Sequence, residues 1–269
     1  MLSNLNDLLL RDASFSYGNG FTLNHINLFV PYGQMVGLLG PNGSGKTTLL
    51  KLATGVLAPS EGDVSVGGVS LKRYARRAVA QRIAVVPQQF NIPFAYTVEE
   101  VVLLGRTPFV HGLSGESKRD RQMALNALEL TGMIEFRNRY FSDLSGGERQ
   151  KIVIAMALAQ EPPLLLLDEP TSHLDISHQI EILELLRKLN HEKKVTIVAA
   201  MHDLNLSALY FERLILLDHG FVFADGSPDE VITKEIIQKV FSATVEIARH
   251  PGVSVPQIVL LLPDNRSNR

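Results

Sequence analysis

Apolar positions along the chain change their period several times, and each change marks an element. Residues 8–17 and 21–30 alternate apolar with polar positions and are read as antiparallel strands joined around Gly18-Asn19-Gly20. Gln34-Met35-Val36-Gly37-Leu38-Leu39 is a short apolar run of the kind a buried strand gives, and a helix opens after it over 48–53. Beyond Pro59-Ser60-Glu61-Gly62, residues 63–69 suggest a second short hairpin, and Ile83-Ala84-Val85-Val86 reads as a buried strand that stops at Pro87. From about residue 98 to 160 the spacing turns helical. Thr97 can cap a helix starting at Val98, and residues 117–131 place Met123, Ala124, Ala127, Leu128 and Leu130 at helical intervals. Ser145 precedes a third helix over 148–159. Strands at 164–167, 195–201 and 214–217 then alternate with helices at 177–190 and 203–210. Such alternation implies an α/β fold, a mostly parallel sheet covered by helices, with a helical insertion in its core. Residues 245–262 are two apolar stretches around Pro251-Gly252, too short for a separate domain.

Composition narrows the function classes. The chain has 269 residues, 45% of them hydrophobic, enough to bury a substantial core. A formal net charge of −2 argues against a chain built mainly to hold nucleic acid. With no cysteine, disulfides, thiolate zinc sites and a cysteine nucleophile are excluded. No segment approaches the roughly 18–20 uninterrupted apolar residues of a membrane span, and Met1-Leu2-Ser3-Asn4-Leu5-Asn6-Asp7 lacks the basic start of a secretory signal. The chain is therefore expected to be soluble and cytoplasmic, leaving any membrane crossing to another polypeptide.

Candidate chemistry begins at Gly40-Pro41-Asn42-Gly43-Ser44-Gly45-Lys46-Thr47, a complete G-x-x-x-x-G-K-T phosphate loop between a strand and a helix. Its N–H groups can point at phosphate oxygens, Lys46 can neutralise the β- and γ-phosphates, and the Thr47 hydroxyl can take a place on Mg²⁺. The helix opening at Thr48 adds its N-terminal dipole. Alone, this loop does not separate kinases, GTPases, motors and transport ATPases. Leu165-Leu166-Leu167-Asp168-Glu169-Pro170 is an apolar strand ending in two acids. Either the pair caps the next segment, or Asp168 holds Mg²⁺, directly or through water, while Glu169 orients and deprotonates an attacking water as general base. Leu144-Ser145-Gly146-Gly147-Glu148-Arg149-Gln150 is a Ser-capped helix start preceded by paired glycines, a second anion-binding device.

The string at 144–150, lying between a phosphate loop and an Asp-Glu strand, resembles the signature motif of ATP-binding cassette (ABC) transporters. The chain is similar to their nucleotide-binding subunit over essentially its whole length. The resemblance implies a P-loop NTPase (RecA-like) core with a mostly parallel sheet, an antiparallel β subdomain and an inserted helical subdomain, all in one cassette domain. Its catalytic core would be residues 1–88 and 161–244, its helical subdomain 89–160 and its C-terminal extension 245–269. In that family two copies pair head to tail, so each ATP lies between one copy's phosphate loop and the other's signature helix.

By the same resemblance, Tyr17, 29 positions before Lys46, stacks on adenine. Gln88 reaches Mg²⁺ and the attacking water, and His202 contacts the γ-phosphate. Ser172-His173-Leu174-Asp175 is the loop through which the copies communicate; the family has a small residue where His173 stands, and His173 is assigned no role. Lys46, Gln88, Glu169 and His202 are thus the expected catalytic set. ATP contacts are expected from Tyr17, the loop at 40–47, Thr48, Ser145, Gly146, Gly147, Glu148 and Asp175, and Mg²⁺ contacts from Thr47, Gln88 and Asp168. The aromatic loop Gln89-Phe90-Asn91-Ile92-Pro93-Phe94-Ala95-Tyr96 either tucks into the helical insertion or receives a membrane subunit. The strings at 97–108, 201–208 and 226–233 look most like importers of metal chelates, namely ferric siderophores, haem and cobalamin. That implies integral membrane permease subunits and, indirectly, a substrate-binding protein as partners, a place on the cytoplasmic face of the membrane, and no nucleic acid. The competing class, a soluble cassette ATPase of DNA repair or translation, has a long coiled coil or two cassettes in one chain, and neither pattern is present.

Overall fold

The computed structural model describes residues 7–18, 20, 22–110 and 115–261. The N-terminal stretch 1–6, the turn residue Asn19, Phe21 and Leu262 lie outside the described residues.

A six-stranded sheet forms the centre. It runs in the order β10 (Phe221–Gly226), β9 (Arg213–Asp218), β3 (Met35–Leu39), β8 (Thr196–Ala200), β7 (Leu164–Asp168) and β6 (Ile83–Val86). All adjacent pairs are parallel except β9 with β10. The inner strands β3, β7 and β8 are buried at every position because both faces of the sheet are covered. Successive side chains therefore feed two cores. Met35, Leu165, Leu167, Ile197 and Ala199 pack toward one face with the helical layer, and Val36, Leu38, Leu164, Leu166 and Val198 toward the other. On that second face lie α1 (Lys46–Ala53) and an antiparallel sheet of β1 (Leu8–Ser16), β2 (Thr22–Val30), β4 (Glu61–Val66) and the short β5 (Val69–Ser70).

Three readings are corrected. The strand at 83–86 is an edge strand, not a fully buried one, and Val85 is 39% exposed. A sixth strand, β10, follows β9 after the tight turn at His219-Gly220, a hairpin the apolar alternation did not reveal. The paired glycines do not precede the signature helix, since α5 (Gly146–Ala159) begins with them.

The helical layer consists of α3 (Val98–Leu103), α4 (Lys118–Leu130) and α5, which bury Val98, Val101, Val102, Ala124, Ala127, Leu128 and the run 152–155 against one another. All three start with the same reciprocal cap: Thr97 with Glu100, Ser117 with Asp120, and Ser145 with Glu148. Each such cap contributes about 1 kcal/mol and fixes where its helix begins. A short helix, α2 (Arg76–Ala80), precedes β6. Packed into the same core as the helical layer, α6 (Ile176–Lys193) and α7 (Leu204–Tyr210) complete the crossovers, followed by α8 (Pro228–Val231) and α9 (Lys234–Phe241). The C-terminal stretch is a hairpin of β11 (Val245–Arg249) and β12 (Pro256–Leu260). It is tied to α7 by Asn205, whose side-chain amide exchanges two hydrogen bonds with the Ile258 backbone. Among the described residues no helix is long and apolar enough to cross a membrane.

One ion pair holds the helical layer together from within. Arg106, 3% exposed, donates to Asp120 Oδ1 at 2.9 Å and to the Ala159 carbonyl at 2.7 Å, and its guanidinium lies 3.9 Å from the Phe109 ring centroid. The Ser117 hydroxyl, its backbone N–H and Arg106 hold the Asp120 carboxyl down to about 2. Removing Arg106 strands a buried carboxylate, so Arg106→Ala is expected to cost about 3 kcal/mol in urea unfolding. A loss below 1 kcal/mol would show the pair to be dispensable.

Candidate functional site

The site is assembled at the C-terminal ends of four adjacent parallel strands. In the loop leaving β3, Gly40 adopts φ 146°, and a Cβ there would sit 2.3 Å from the Leu217 carbonyl and 2.5 Å from Ser44 Oγ. Only glycine lets the loop fold this closely over β9. The carbonyls of Gly40 and Pro41 accept from Lys46 Nζ at 2.8 and 3.2 Å. Burial lowers the Lys46 pKa, and the Glu169 and Asp168 charges pull it back upward. Lys46 is thereby aimed along the loop at the start of α1, where an anion is most favoured.

Tyr17, Asn42, Gly43, Gly45, Lys46, Thr47, Thr48 and Glu169 line one cleft of 330 Å³. Every one of these was expected at the nucleotide. Gly40, Pro41 and Ser44, also expected there, belong to the same loop but are absent from the lining. Tyr17 is 46% exposed and packs edge-on against Phe15 at 4.8 Å, presenting a ring at the cleft's rim. Cavities of 370 and 590 Å³ elsewhere flank α6 and contain none of the motif residues, so size alone does not mark the site.

At the end of β7 the two acids separate. Asp168 is buried, 8% exposed, and hydrogen-bonds the Thr47 side chain. Burial raises its pKa, the Thr47 bond lowers it, Glu169 raises it and Lys46 lowers it. Its Oδ1 is buried without a hydrogen-bond partner, as is Ser44 Oγ. An orphaned carboxylate oxygen whose residue also hydrogen-bonds a threonine hydroxyl offers hard-oxygen donors of the type Mg²⁺ takes. Glu169 follows in the left-handed region at φ 53°, a conformation costing about 1–2 kcal/mol for a non-glycine residue. Its N–H continues the ladder to the Ala200 carbonyl at 3.1 Å, and its own carbonyl accepts from the Ser172 N–H and hydroxyl at 3.1 and 3.0 Å. Ser172 went unrecognised as part of this staple, and no spacing rule would have found it.

The turn delivers the Glu169 carboxylate to two partners from neighbouring strands. Gln88, just after β6, donates through Nε2 to Oε2 at 2.5 Å. His202, just after β8, places Nε2 2.5 Å from Oε1. All four expected catalytic residues thus converge, three of them in a single hydrogen-bonded chain.

A second group does not join them. Ser145, Gly146, Gly147, Glu148 and Asp175 are absent from the cleft lining. They form the N-terminal ends of α5 and α6, where Ser145 caps α5 and Asp175 caps α6. Glu148 accepts from the Ser145 N–H at 2.7 Å, the main reason its carboxyl lies below the ordinary value.

The family model described as "ABC transporter" matches residues 23–172, more than half of the chain. The chain belongs to the ABC transporter family. The petrobactin import ATP-binding protein FpuD of Bacillus anthracis is 37% identical over 95% of this chain and 93% of its own length. The iron(3+)-hydroxamate import ATP-binding protein FhuC of Bacillus subtilis is 39% identical over 94% of each chain. Among solved structures, an inward-facing ABC transporter of the metal-chelate type superposes with a TM-score of 0.84 at 32% identity, covering 96% of this chain and 98% of that one. This ABC transporter chain is accordingly a nucleotide-binding cassette with a P-loop NTPase core.

Asp168→Asn tests the metal reading. Burial outweighs the Thr47 hydrogen bond at this carboxylate, so neutralising it removes a desolvation cost and thermal unfolding of the nucleotide-free protein should not shift downward. Saturating Mg²⁺-ATP stabilises a binding-competent protein by about 2.7 kcal/mol at a hundred times Kd; that magnesium-dependent increment should disappear in the variant. An unchanged increment would remove Asp168 from the metal site.

Proposed function

We propose that this chain is the ATP-binding and ATP-hydrolysing subunit of an importer that takes up a metal chelate through separate membrane subunits. One observation carries the hydrolytic reading: the Glu169 carboxylate is held between Gln88 and His202 at the mouth of the phosphate-loop cleft. A carboxylate fixed at both oxygens is positioned to orient a water and take its proton as that water attacks the γ-phosphate. Lys46 and the loop N–H groups hold the phosphates, Tyr17 offers its ring to adenine, and His202 is placed to meet the γ-phosphate. Thr47, Asp168 and Gln88 would hold Mg²⁺, which would supply charge neutralisation to the phosphates.

The second anion-binding end of the chain, at Ser145, Gly146 and Gly147, lies outside this cleft. A head-to-tail pair of copies resolves this, each covering the other's cleft with its signature end. The aromatic loop after Gln88 divides its residues. Phe90, Ile92 and Tyr96 pack inward, whereas Phe94 is 70% exposed. We assign Phe94 and its surroundings to contact with the membrane subunit, close enough in sequence to Gln88 for docking to reach the base. With that contact the chain would sit peripherally on the cytoplasmic face of the membrane.

The cargo reading rests on the relatives, which are named for chelates as different as petrobactin and hydroxamates at nearly equal identity to this chain. Cargo selection therefore belongs to the membrane subunits and a substrate-binding protein, with siderophores favoured over haem and cobalamin.

Two measurements follow. Lys46→Ala should lose ATP binding, whereas Glu169→Gln should retain it and fall by about 10³-fold or more in hydrolysis. Parental turnover in Glu169→Gln would mean another base. In liposomes with its permease and binding protein, the parental ATPase should be stimulated by ferric siderophore. Stimulation only by haem, cobalamin or another solute would replace the cargo, and stimulation by none would remove the chelate reading.

A further inference from the structure

Gly147 and His178 meet where the first turn of the signature helix packs on the first turn of α6. A Cβ on Gly147 would lie 2.3 Å from His178 Cδ2, 2.5 Å from Cγ and 2.8 Å from Nε2, so the imidazole rests directly on the first turn of α5. The ring cannot easily swing away. Its Nδ1 is 2.9 Å from Asp175 Oδ1, and the same carboxylate oxygen accepts the His178 backbone N–H at 2.9 Å. Asp175 therefore fixes both the start of α6 and the orientation of the ring, leaving the Nε2 edge on the side of Gly147.

One turn further along, Lys151 of α5 pairs with Glu181 of α6. Gly147 to Lys151 is a four-residue step and His178 to Glu181 a three-residue step, so the two contacts lie on the same helix faces as successive rungs. The loop side is joined as well, since a Cβ on Gly146 would be in van der Waals contact with Leu174. Charged groups near the ring come from both helices: Glu148 on α5, Glu181 on α6 and Asp175 at the α6 cap.

We propose that His178 is a positioning residue for the composite ATP site, its Asp175-held imidazole setting the first turn of the signature helix so that it fits the partner copy's nucleotide. The proposal rests on the head-to-tail reading above and adds a residue outside every motif that defined that reading. It also gives a physical reason for glycine at 147: the space a side chain would need is filled by the ring. The signature end and the Ser172–Asp175 loop then present themselves to the partner as one rigid unit.

The test uses the full chain with Glu169→Gln to hold the ATP-bound state, reading dimer affinity by sedimentation velocity in ATP and single-chain ATP affinity at dilutions where the protein is monomeric. His178→Ala should weaken the dimer about tenfold and leave monomeric ATP affinity within about twofold. Gly147→Ala should weaken the dimer strongly beside His178 and much less beside Ala, because the clash partner is gone. Should His178→Ala lower the melting point, His178→Gln, long enough to reach Asp175 but without the ring, carries the same expectation. Unchanged dimer affinity in the His178 variants, or an equal Gly147→Ala loss in both backgrounds, overturns the proposal and leaves the composite site standing. A parental chain that stays monomeric in ATP overturns both.

Discussion

Main-chain pairing between β3, β8, β7 and β6 levels four strand ends, and the chemistry of the molecule depends on that levelling. Leu38 pairs with Ala200, Ala200 with Asp168, and Leu167 with both Ala199 and Val86. The residues that follow these pairs are Gly40, His202, Glu169 and Gln88. A one-residue slip of any strand would send its whole set of side chains to the other face of the sheet. Because both faces are packed with their own apolar cores, that slip is expensive, and the active residues inherit the precision of the core. Open α/β sheets bind ligands at this edge for the same reason.

Levelling brings the groups close, but the last step is local. Glu169 leaves the ladder through a left-handed turn, and its strain is offset by hydrogen bonds from Ser172 and to Ala200. That turn delivers the carboxylate to Gln88 and His202. The Asp168 carboxylate, one residue earlier and still in β7, is directed to the α1 residue Thr47 instead. Two adjacent acids thus acquire different environments and different tasks. The signature end is built independently, on helix caps rather than strand ends, and is absent from the lining of the chain's own cleft. In the proposed head-to-tail pair, each such end would complete the other copy's site.

Much of this was legible in the residues because the relevant physics is local. Phosphate loops, capping residues and apolar strand runs each leave a signal within a few positions, so the central strands, the three capped helices and every cleft residue were found. What escaped depends on neighbours distant in sequence. Val85 looks like any buried strand residue until β6 is known to be the edge. The β10 hairpin has no period strong enough to stand out, and it turns at His219-Gly220, not at an Asn-Gly or Asp-Gly pair. Arg106 and Asp120 each look like surface charges, and only folding shows that they bury each other. His178 lies on an ordinary helical stretch, and its contact with Gly147 spans a strand and a loop.

The central claim is that hydrolysis needs the phosphate loop of one copy and the signature end of another. Mixing two inactive chains tests it most directly: one carrying Lys46→Ala, the other a bulky Ser145→Arg at the signature end. In a head-to-tail pair of the two, one site contains both defects and the other contains none, so ATPase activity should appear on mixing. A mixture as inactive as its components, with both proteins folded and able to exchange partners, would contradict the account.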